Sequence, residues 1–69
     1  MNPPLGLYVH YKGNEYLLMA VGKIESSLED VAIYRAAEGD SWWARPLSEF
    51  TAEVQVNGKS LPRFRFIGA

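Results

Sequence analysis

An Asn-Gly pair at positions 57–58 lies between two short runs in which apolar and polar residues alternate. Both residue types tolerate the positive φ angles of a two-residue hairpin turn, and alternation with a period of two is typical of half-buried strands. The pair therefore predicts a β-hairpin. Val54 and Val56 share one face of its first strand, and Phe64 and Phe66 share one face of its second.

Similar short runs, separated by turn residues, cover most of the chain. Strands are predicted near residues 7–12, 16–24, 31–36, 42–45, 51–56 and 61–67. The run 47–50 follows a proline and is predicted to form one helical or 3₁₀ turn. Gly22, inside the second run, predicts a bulge or a sharp bend.

These elements predict an all-β fold, because no segment has a sustained helical period. We expect a small SH3-like barrel of five to six short antiparallel strands, with an OB-like barrel as the alternative. Residues 6–67 are expected to form this single domain. Residues 1–5, which contain two prolines, are expected to form a flexible leader.

Two adjacent tryptophans precede a proline and are predicted to lie on opposite faces of one strand. We predict that Trp42 packs into the core, and that Trp43 and Arg45 share the outer face. Aromatic and guanidinium side chains on one surface favour stacking on a ring or contact with an acidic group. The alternative is structural, with Arg45 stacked on Trp43 and paired with Asp40 or Glu49.

The composition restricts the classes of function. The chain has 69 residues, no cysteine and a net charge of −1 at pH 7. The lack of cysteine fits a reducing cytoplasm, and the net charge lacks the basic excess of general nucleic-acid binders. No run approaches the roughly 20 apolar residues of a membrane span, so we expect no membrane partner. Without a metal-ligand cluster or a phosphate-binding glycine motif, we expect neither metal nor cofactor.

His10 and Lys12 share one face of the first predicted strand. A histidine near neutral pKa can act as a base or bind a ligand, but no nucleophile or metal-ligand cluster accompanies this one. The alternative is structural, with His10 capping a backbone carbonyl across the mouth of the barrel. We therefore expect no catalytic residue and no enzymatic activity.

Several motifs, in order and at matching spacing, resemble the bacterial domain-of-unknown-function family 1653. They are Gly6-x-Tyr8-x-His10-Tyr11-Lys12-Gly13-x-x-Tyr16, Val31-x-x-Tyr34-Arg35, Gly39-Asp40, Trp43-x-Arg45-Pro46-x-x-x-Phe50 and Asn57-Gly58-Lys59-x-x-Pro62-Arg63-Phe64. The resemblance spans residues 6–67 and implies a small, mainly β protein without an assigned activity. Many relatives carry His-Ser/Thr-Glu-Thr in one turn, where this chain has 24–27 as Ile-Glu-Ser-Ser.

The residues that carry the functional hypothesis are aromatic or basic and are expected to share one face. Arg65 is expected to lie near them in a closed barrel, and Tyr34, with Tyr16 and Phe50, either lines a groove or packs in the core. The predicted partner is a protein or peptide segment, and the alternative is RNA or single-stranded DNA stacked on the same face. We expect a monomer or a weak homodimer. The candidate ligand-binding residues are His10, Lys12, Tyr34, Trp43, Arg45 and Arg63.

Overall fold

Seven strands and one helical turn make up the protein over residues 2–69, which are the residues that the computed structural model describes. The predicted all-β fold and the predicted helical turn at 47–50 are confirmed. The elements in chain order are β1 Gly6–His10, β2 Glu15–Lys23, β3 Asp30–Ala36, β4 Trp42–Pro46, α1 Leu47–Phe50, β5 Glu53–Val56, β6 Lys59–Pro62 and β7 Phe64–Gly68.

Five of the strands form one antiparallel sheet in the order β4-β3-β2-β1-β7, and β5 and β6 form a separate hairpin. The small all-β fold is as expected, but the sheet does not close into a barrel, because β4 and β7 remain its two edges. The single strand predicted over 61–67 is divided at Arg63. There the Arg63 amide donates to the Ala52 carbonyl at 3.0 Å, and the Arg63 carbonyl accepts from the Tyr11 amide at 2.9 Å.

The predicted hairpin at 57–58 joins β5 to β6, with Val56 opposite Lys59. Asn57 has φ 51° and Gly58 has φ 78°, which is the left-handed region that this pair tolerates. The bulge predicted at Gly22 is absent from that position, since Gly22 pairs with Val31 in register. The register instead shifts between Leu18 and Ala20.

One face of the sheet carries the core, and the helical turn supplies its central side chain. Phe50 is 1% exposed and stacks on Phe64 with ring centroids 4.2 Å apart and an interplanar angle of 13°. Tyr8 and Tyr34 meet Phe50 at centroid distances of 5.2 and 5.3 Å. The buried cluster as a whole is Tyr8, Leu18, Ala32, Tyr34, Phe50 and Phe64.

The predicted faces of the two tryptophans are reversed in the structure. Trp43 pairs with the buried Tyr34 and Trp42 pairs with Arg35, so Trp43 and Arg45 lie on the core face and Trp42 on the opposite, open face. Trp42 is 56% exposed, and the prediction that it is buried is therefore wrong. The physical reason is that α1 packs on one face only, and β3 decides which residues of β4 share that face.

The segment expected to be a leader makes a defined contact with the domain. The Tyr8 hydroxyl donates to the Pro4 carbonyl at 2.6 Å. Met1, which belongs to the same expected leader, lies outside the described residues. Within residues 2–69, no helix has the length and apolar character needed to cross a membrane.

The difference between a core ring and an exposed ring predicts very different costs of truncation. Phe50→Ala should lower the free energy of unfolding by roughly 3–5 kcal/mol, which is most of what a domain of this size has. Trp42→Ala should change it by no more than about 0.5 kcal/mol. Urea denaturation followed by circular dichroism measures both, with Phe50→Leu as the milder core variant. A Trp42→Ala cost equal to that of Phe50→Ala would contradict the assignment of faces.

Two glycines offer a matched test of backbone strain, because a Cβ at Gly58 or at Gly68 meets no atom within 4 Å. Only Gly58 has a positive φ, of 78°. Gly58→Ala should therefore cost about 1–2 kcal/mol. Gly68→Ala should be neutral or stabilise by up to about 1 kcal/mol, because alanine reduces the entropy of the unfolded chain. Thermal unfolding of the two variants beside the wild type gives the comparison, and equal costs would exclude the strain argument.

Candidate functional site

A pocket of about 200 Å³ opens on the core face of the sheet, beyond the buried ring of Phe50. Every strand of the five-stranded sheet contributes to it, which requires strong curvature of the sheet. Cross-strand pairing sets the positions, because Trp43 lies opposite Tyr34 and His10 lies opposite Phe64. The lining residues are His10, Tyr16, Tyr34, Trp43, Arg45 and Phe64.

Most walls of the pocket are aromatic rings that contact one another edge to face. Tyr16 meets Tyr34 at 5.5 Å and Phe64 at 5.7 Å, with interplanar angles of 85° and 80°. The His10 ring meets Phe64 at 4.9 Å and 75°. Such perpendicular pairs are favourable and fix the ring orientations, so the pocket is formed before any ligand arrives.

Arg45 supplies the permanent charge of the pocket. Its Nε donates to the Tyr34 hydroxyl at 3.4 Å, and its Nη1 donates to Glu49 Oε1 at 3.1 Å. The hydrogen bond with Tyr34 is the largest cause that holds the pKa of Arg45 above its ordinary value; partial burial opposes it, and Glu49 adds a smaller contribution in the same direction as Tyr34. Of the structural alternative for Arg45, the pairing with Glu49 is present, and no cation–π contact with Trp43 is found among the described residues. Its Nη2 makes no hydrogen bond to the described residues and remains a donor for a ligand.

His10 faces the pocket as a neutral ring. Its Nδ1 accepts a hydrogen bond from the Lys12 amide at 3.2 Å, which leaves the proton of the neutral imidazole on Nε2. Partial burial lowers the pKa of His10, and the charges of Arg63, Lys12 and Arg45 lower it further. The expected cap on a carbonyl across the barrel mouth is not among the hydrogen bonds of residues 2–69, since His10 instead accepts from the nearby Lys12 amide. The ring lines the pocket.

The structure brings four of the six candidate residues into one pocket: His10, Tyr34, Trp43 and Arg45. Lys12 and Arg63 do not line it, although the charges of both act on His10. Lys12 is exposed on the β1–β2 turn, with its Nζ 5.9 Å from the centre of the Tyr11 ring.

Arg63 is half-buried where β6 meets β7, and its buried Nε has no hydrogen-bond partner in the part of the chain that the structure describes. Arg65, expected nearby in a closed barrel, instead pairs with Val9 on the open face of the sheet. The expectation of proximity fails for Arg65 because it lies on the open face, whereas Trp43 and Arg45 lie on the core face.

Phe64 and Tyr16 also line the pocket, although the sequence does not mark Phe64 as a candidate and predicts only a groove or core position for Tyr16. The sequence held a signal for Phe64, since its alternation with Arg63 and Arg65 placed it on the same face as Phe66. That pattern does not show which other strand Phe64 would face. Among residues 2–69, no three His, Cys, Asp or Glu side chains are grouped so that they could hold a metal ion.

The lowered pKa of His10 predicts that stability falls on mild acidification. The unfolded chain binds the proton near the ordinary pKa of about 6.5, whereas the folded chain binds it only at lower pH. The free energy of unfolding should therefore be unaffected by His10 above that value. It should fall as the pH decreases from there through the folded pKa.

The chain has a single histidine, so one NMR titration of its Cε1 proton measures the folded pKa directly. We expect a midpoint below 6.5 that rises only in part in Arg63→Gln, because burial is the larger cause. His10→Gln should flatten the dependence of urea stability between about pH 7.5 and 5.5. A midpoint at or above 6.5 would show that the His10 ring is solvated and that the charges of Arg63, Lys12 and Arg45 do not lower its pKa.

Comparison with known proteins places the chain in a family. No curated protein matches it. A crystal structure of a DUF1653 protein from Bordetella bronchiseptica superposes with a TM-score of 0.87 at 26% identity, covering 96% of this chain and 88% of that one. The family model described as "Protein of unknown function (DUF1653)" matches residues 6–66, which is nearly the whole chain. The chain therefore belongs to the DUF1653 family.

Proposed function

We propose that this protein is a cytoplasmic, non-enzymatic binding module that engages a protein segment carrying an acidic side chain beside an apolar or aromatic one. The observation that carries the proposal is the pocket itself. Four aromatic walls, the His10 ring and the Arg45 guanidinium converge on one opening. Rings and a guanidinium together suit a ligand that is apolar in one part and anionic in another.

The size of the pocket supports a side chain as its occupant. A volume of about 200 Å³ is smaller than the ~300–1,000 Å³ typical of small-molecule and cofactor sites. One aromatic or aliphatic side chain fills such a space. The rest of the ligand then lies on the surrounding surface, as in domains that recognise extended peptides.

The charge around the pocket supports an acidic ligand. Three cations, Arg63, Lys12 and Arg45, act on His10 and lower its pKa, so the opening lies in a positive field. Glu49 pairs with Arg45 through Nη1, and Nη2 has no hydrogen-bond partner among the described residues. A carboxylate that approaches Nη2 gains a charge-assisted hydrogen bond.

Nucleic acid is the second candidate, since Trp43 is half-exposed and a base can stack on it. The net charge of −1 opposes this candidate, because nucleic-acid affinity depends mainly on phosphate neutralisation. Three cations produce the positive field near the pocket, which is a small number of charges for neutralising a phosphate backbone. We therefore favour the protein segment.

The test uses the blocked peptide acetyl-Thr-Glu-Thr-Phe-Thr-amide, whose Glu and Phe lie on one side when the chain is extended. Titration into the ¹⁵N-labelled protein should give saturable shifts at the pocket residues. The same peptide with Lys in place of Glu should bind at least about tenfold more weakly. Titration with hexauridylate at low salt tests the nucleic-acid alternative. Shifts at Trp43 with hexauridylate but not with the peptide would reject the proposal in favour of RNA.

The two tryptophans give a matched pair of variants, because they are neighbours with exposures of 56% and 50% and lie on opposite faces. Trp43→Ala and Arg45→Gln should each weaken peptide binding about tenfold or more, as truncated aromatic and arginine anchors do. Trp42→Ala should leave the affinity within about twofold. Fluorescence or isothermal titration measures all three. Equal losses at both tryptophans would place the binding surface elsewhere.

A further inference from the structure

β4 is an edge strand whose outer side is not paired with any strand of residues 2–69. Trp42, Trp43 and Ala44 are exposed, and the strand contains neither lysine nor an acidic residue. Natural edge strands are usually protected by charges, prolines, bulges or a covering element, and β4 has only Arg45 and Pro46 of these, both at its C-terminal end. The register of β4 on β3 runs without a shift, so the edge is regular and able to pair.

The hydrogen-bond register shows which backbone groups face outward. The Ala36 amide donates to the Ser41 carbonyl at 3.1 Å, and these two residues continue the β3–β4 register as a hydrogen-bonded pair. Bonded and non-bonded pairs alternate in an antiparallel ladder, so Trp43 and Arg45 bond to β3 and the groups of Trp42 and Ala44 point away. Pro46 occupies the next outward position, where its missing N–H costs no ladder bond.

We propose that the partner segment binds by adding a strand, antiparallel, to this outer edge of β4, with its side chains directed alternately into the pocket. The inference rests on the proposed function and specifies its geometry. Antiparallel addition continues the arrangement of the whole sheet and is the slightly more stable pairing. The N–H and C=O groups of Ala44 and Trp42 supply the main-chain hydrogen bonds.

The geometry also fixes the order of side chains in the segment. Residues of an added strand that oppose Arg45 and Trp43 lie on the pocket face, because opposite residues share a face. They are two positions apart, and in an antiparallel strand the residue that opposes Arg45 comes first. The expected order is therefore an acidic residue, any residue, and then an aromatic or apolar residue. This order places the carboxylate against the Arg45 guanidinium and the apolar group against the Trp43 indole.

Charge complementarity identifies the occupant as acidic and argues against a second copy of this chain. A second β4 has no acidic residue to place against Arg45, whereas an acidic segment does. β7, the other edge, gives only Phe64 to the pocket, whereas β4 gives Trp43 and Arg45. The edge and the pocket together therefore select an extended acidic segment.

The experiment compares acetyl-Thr-Glu-Thr-Phe-Thr-amide with two N-methylated forms. In the proposed register the central Thr opposes Ala44 and directs its amide to β4, whereas the Glu amide points away. Methylation of the central Thr nitrogen should weaken binding at least about tenfold, and methylation of the Glu nitrogen should change it by less than about threefold. The reversed order acetyl-Thr-Phe-Thr-Glu-Thr-amide should bind more weakly than the parent.

The protein provides the complementary measurement. Hydrogen exchange at the Trp42 and Ala44 amides should slow by about tenfold when the peptide occupies about 90% of the protein. Ala44→Pro removes an outward donor without removing a ladder bond, as Pro46 already does, and should weaken binding about tenfold. Ala44→Ser keeps the amide and is the control. Cross-strand NOEs between the central Thr of the peptide and Ala44 would show that these two residues lie opposite each other.

The outcomes separate this inference from the proposed function. Peptide shifts at Trp43 and Arg45 with unprotected edge amides and no effect of either methylation would overturn strand addition and leave the binding module intact. Greater sensitivity at the Glu amide than at the Thr amide would overturn the antiparallel register. Protection of Trp42 and Ala44 that rises with protein concentration, without peptide, would assign the edge to a homodimer and overturn the inference. No peptide shifts at all would reject the proposed function itself.

Discussion

The stacking of Phe50 on Phe64, at 4.2 Å, is the contact on which the rest of the structure depends. Phe50 ends the helical turn that begins directly after β4, so the contact joins one edge strand of the sheet to the other. The two stacked rings fill one end of the concave face of the sheet, and the pocket occupies the other end. In a 69-residue chain with few fully buried side chains, this contact therefore defines both the core and the extent of the site.

Tyr34 couples that core to the chemistry of the pocket. Its ring is 5% exposed and meets Phe50 and Phe64, each at 5.3 Å, while its hydroxyl accepts from Arg45. The guanidinium is thus oriented by a residue that cannot move without disturbing the core. Positioning of this kind lowers the entropic cost of binding, because the charged group is already held where a ligand meets it. It also means that stability and the orientation of Arg45 are linked through Tyr34.

Local patterns predicted the strands, the 57–58 hairpin and the helical turn, because turn chemistry and a period of two are properties of neighbouring residues. The same alternation correctly separated Trp42 from Trp43 but assigned the wrong tryptophan to the core face. Alternation determines which residues share a face, whereas the covered face is decided by packing between distant segments. The open sheet and the position of Arg65 were missed for that reason, since both depend on how β4 and β7 are placed.

Exposure alone does not identify the site, as the two tryptophans show. Trp42 and Trp43 expose similar fractions of their surface, yet only Trp43 borders a concavity that also contains rings and a guanidinium. Single exposed apolar residues are common, and a convergence of shape, aromatic surface and charge is not. Arg45 repeats the side-chain direction of Trp43 two residues later, so one edge strand carries both groups toward the same opening. A strand that presents alternate side chains to a pocket and free backbone to solvent matches the two requirements of extended-peptide recognition.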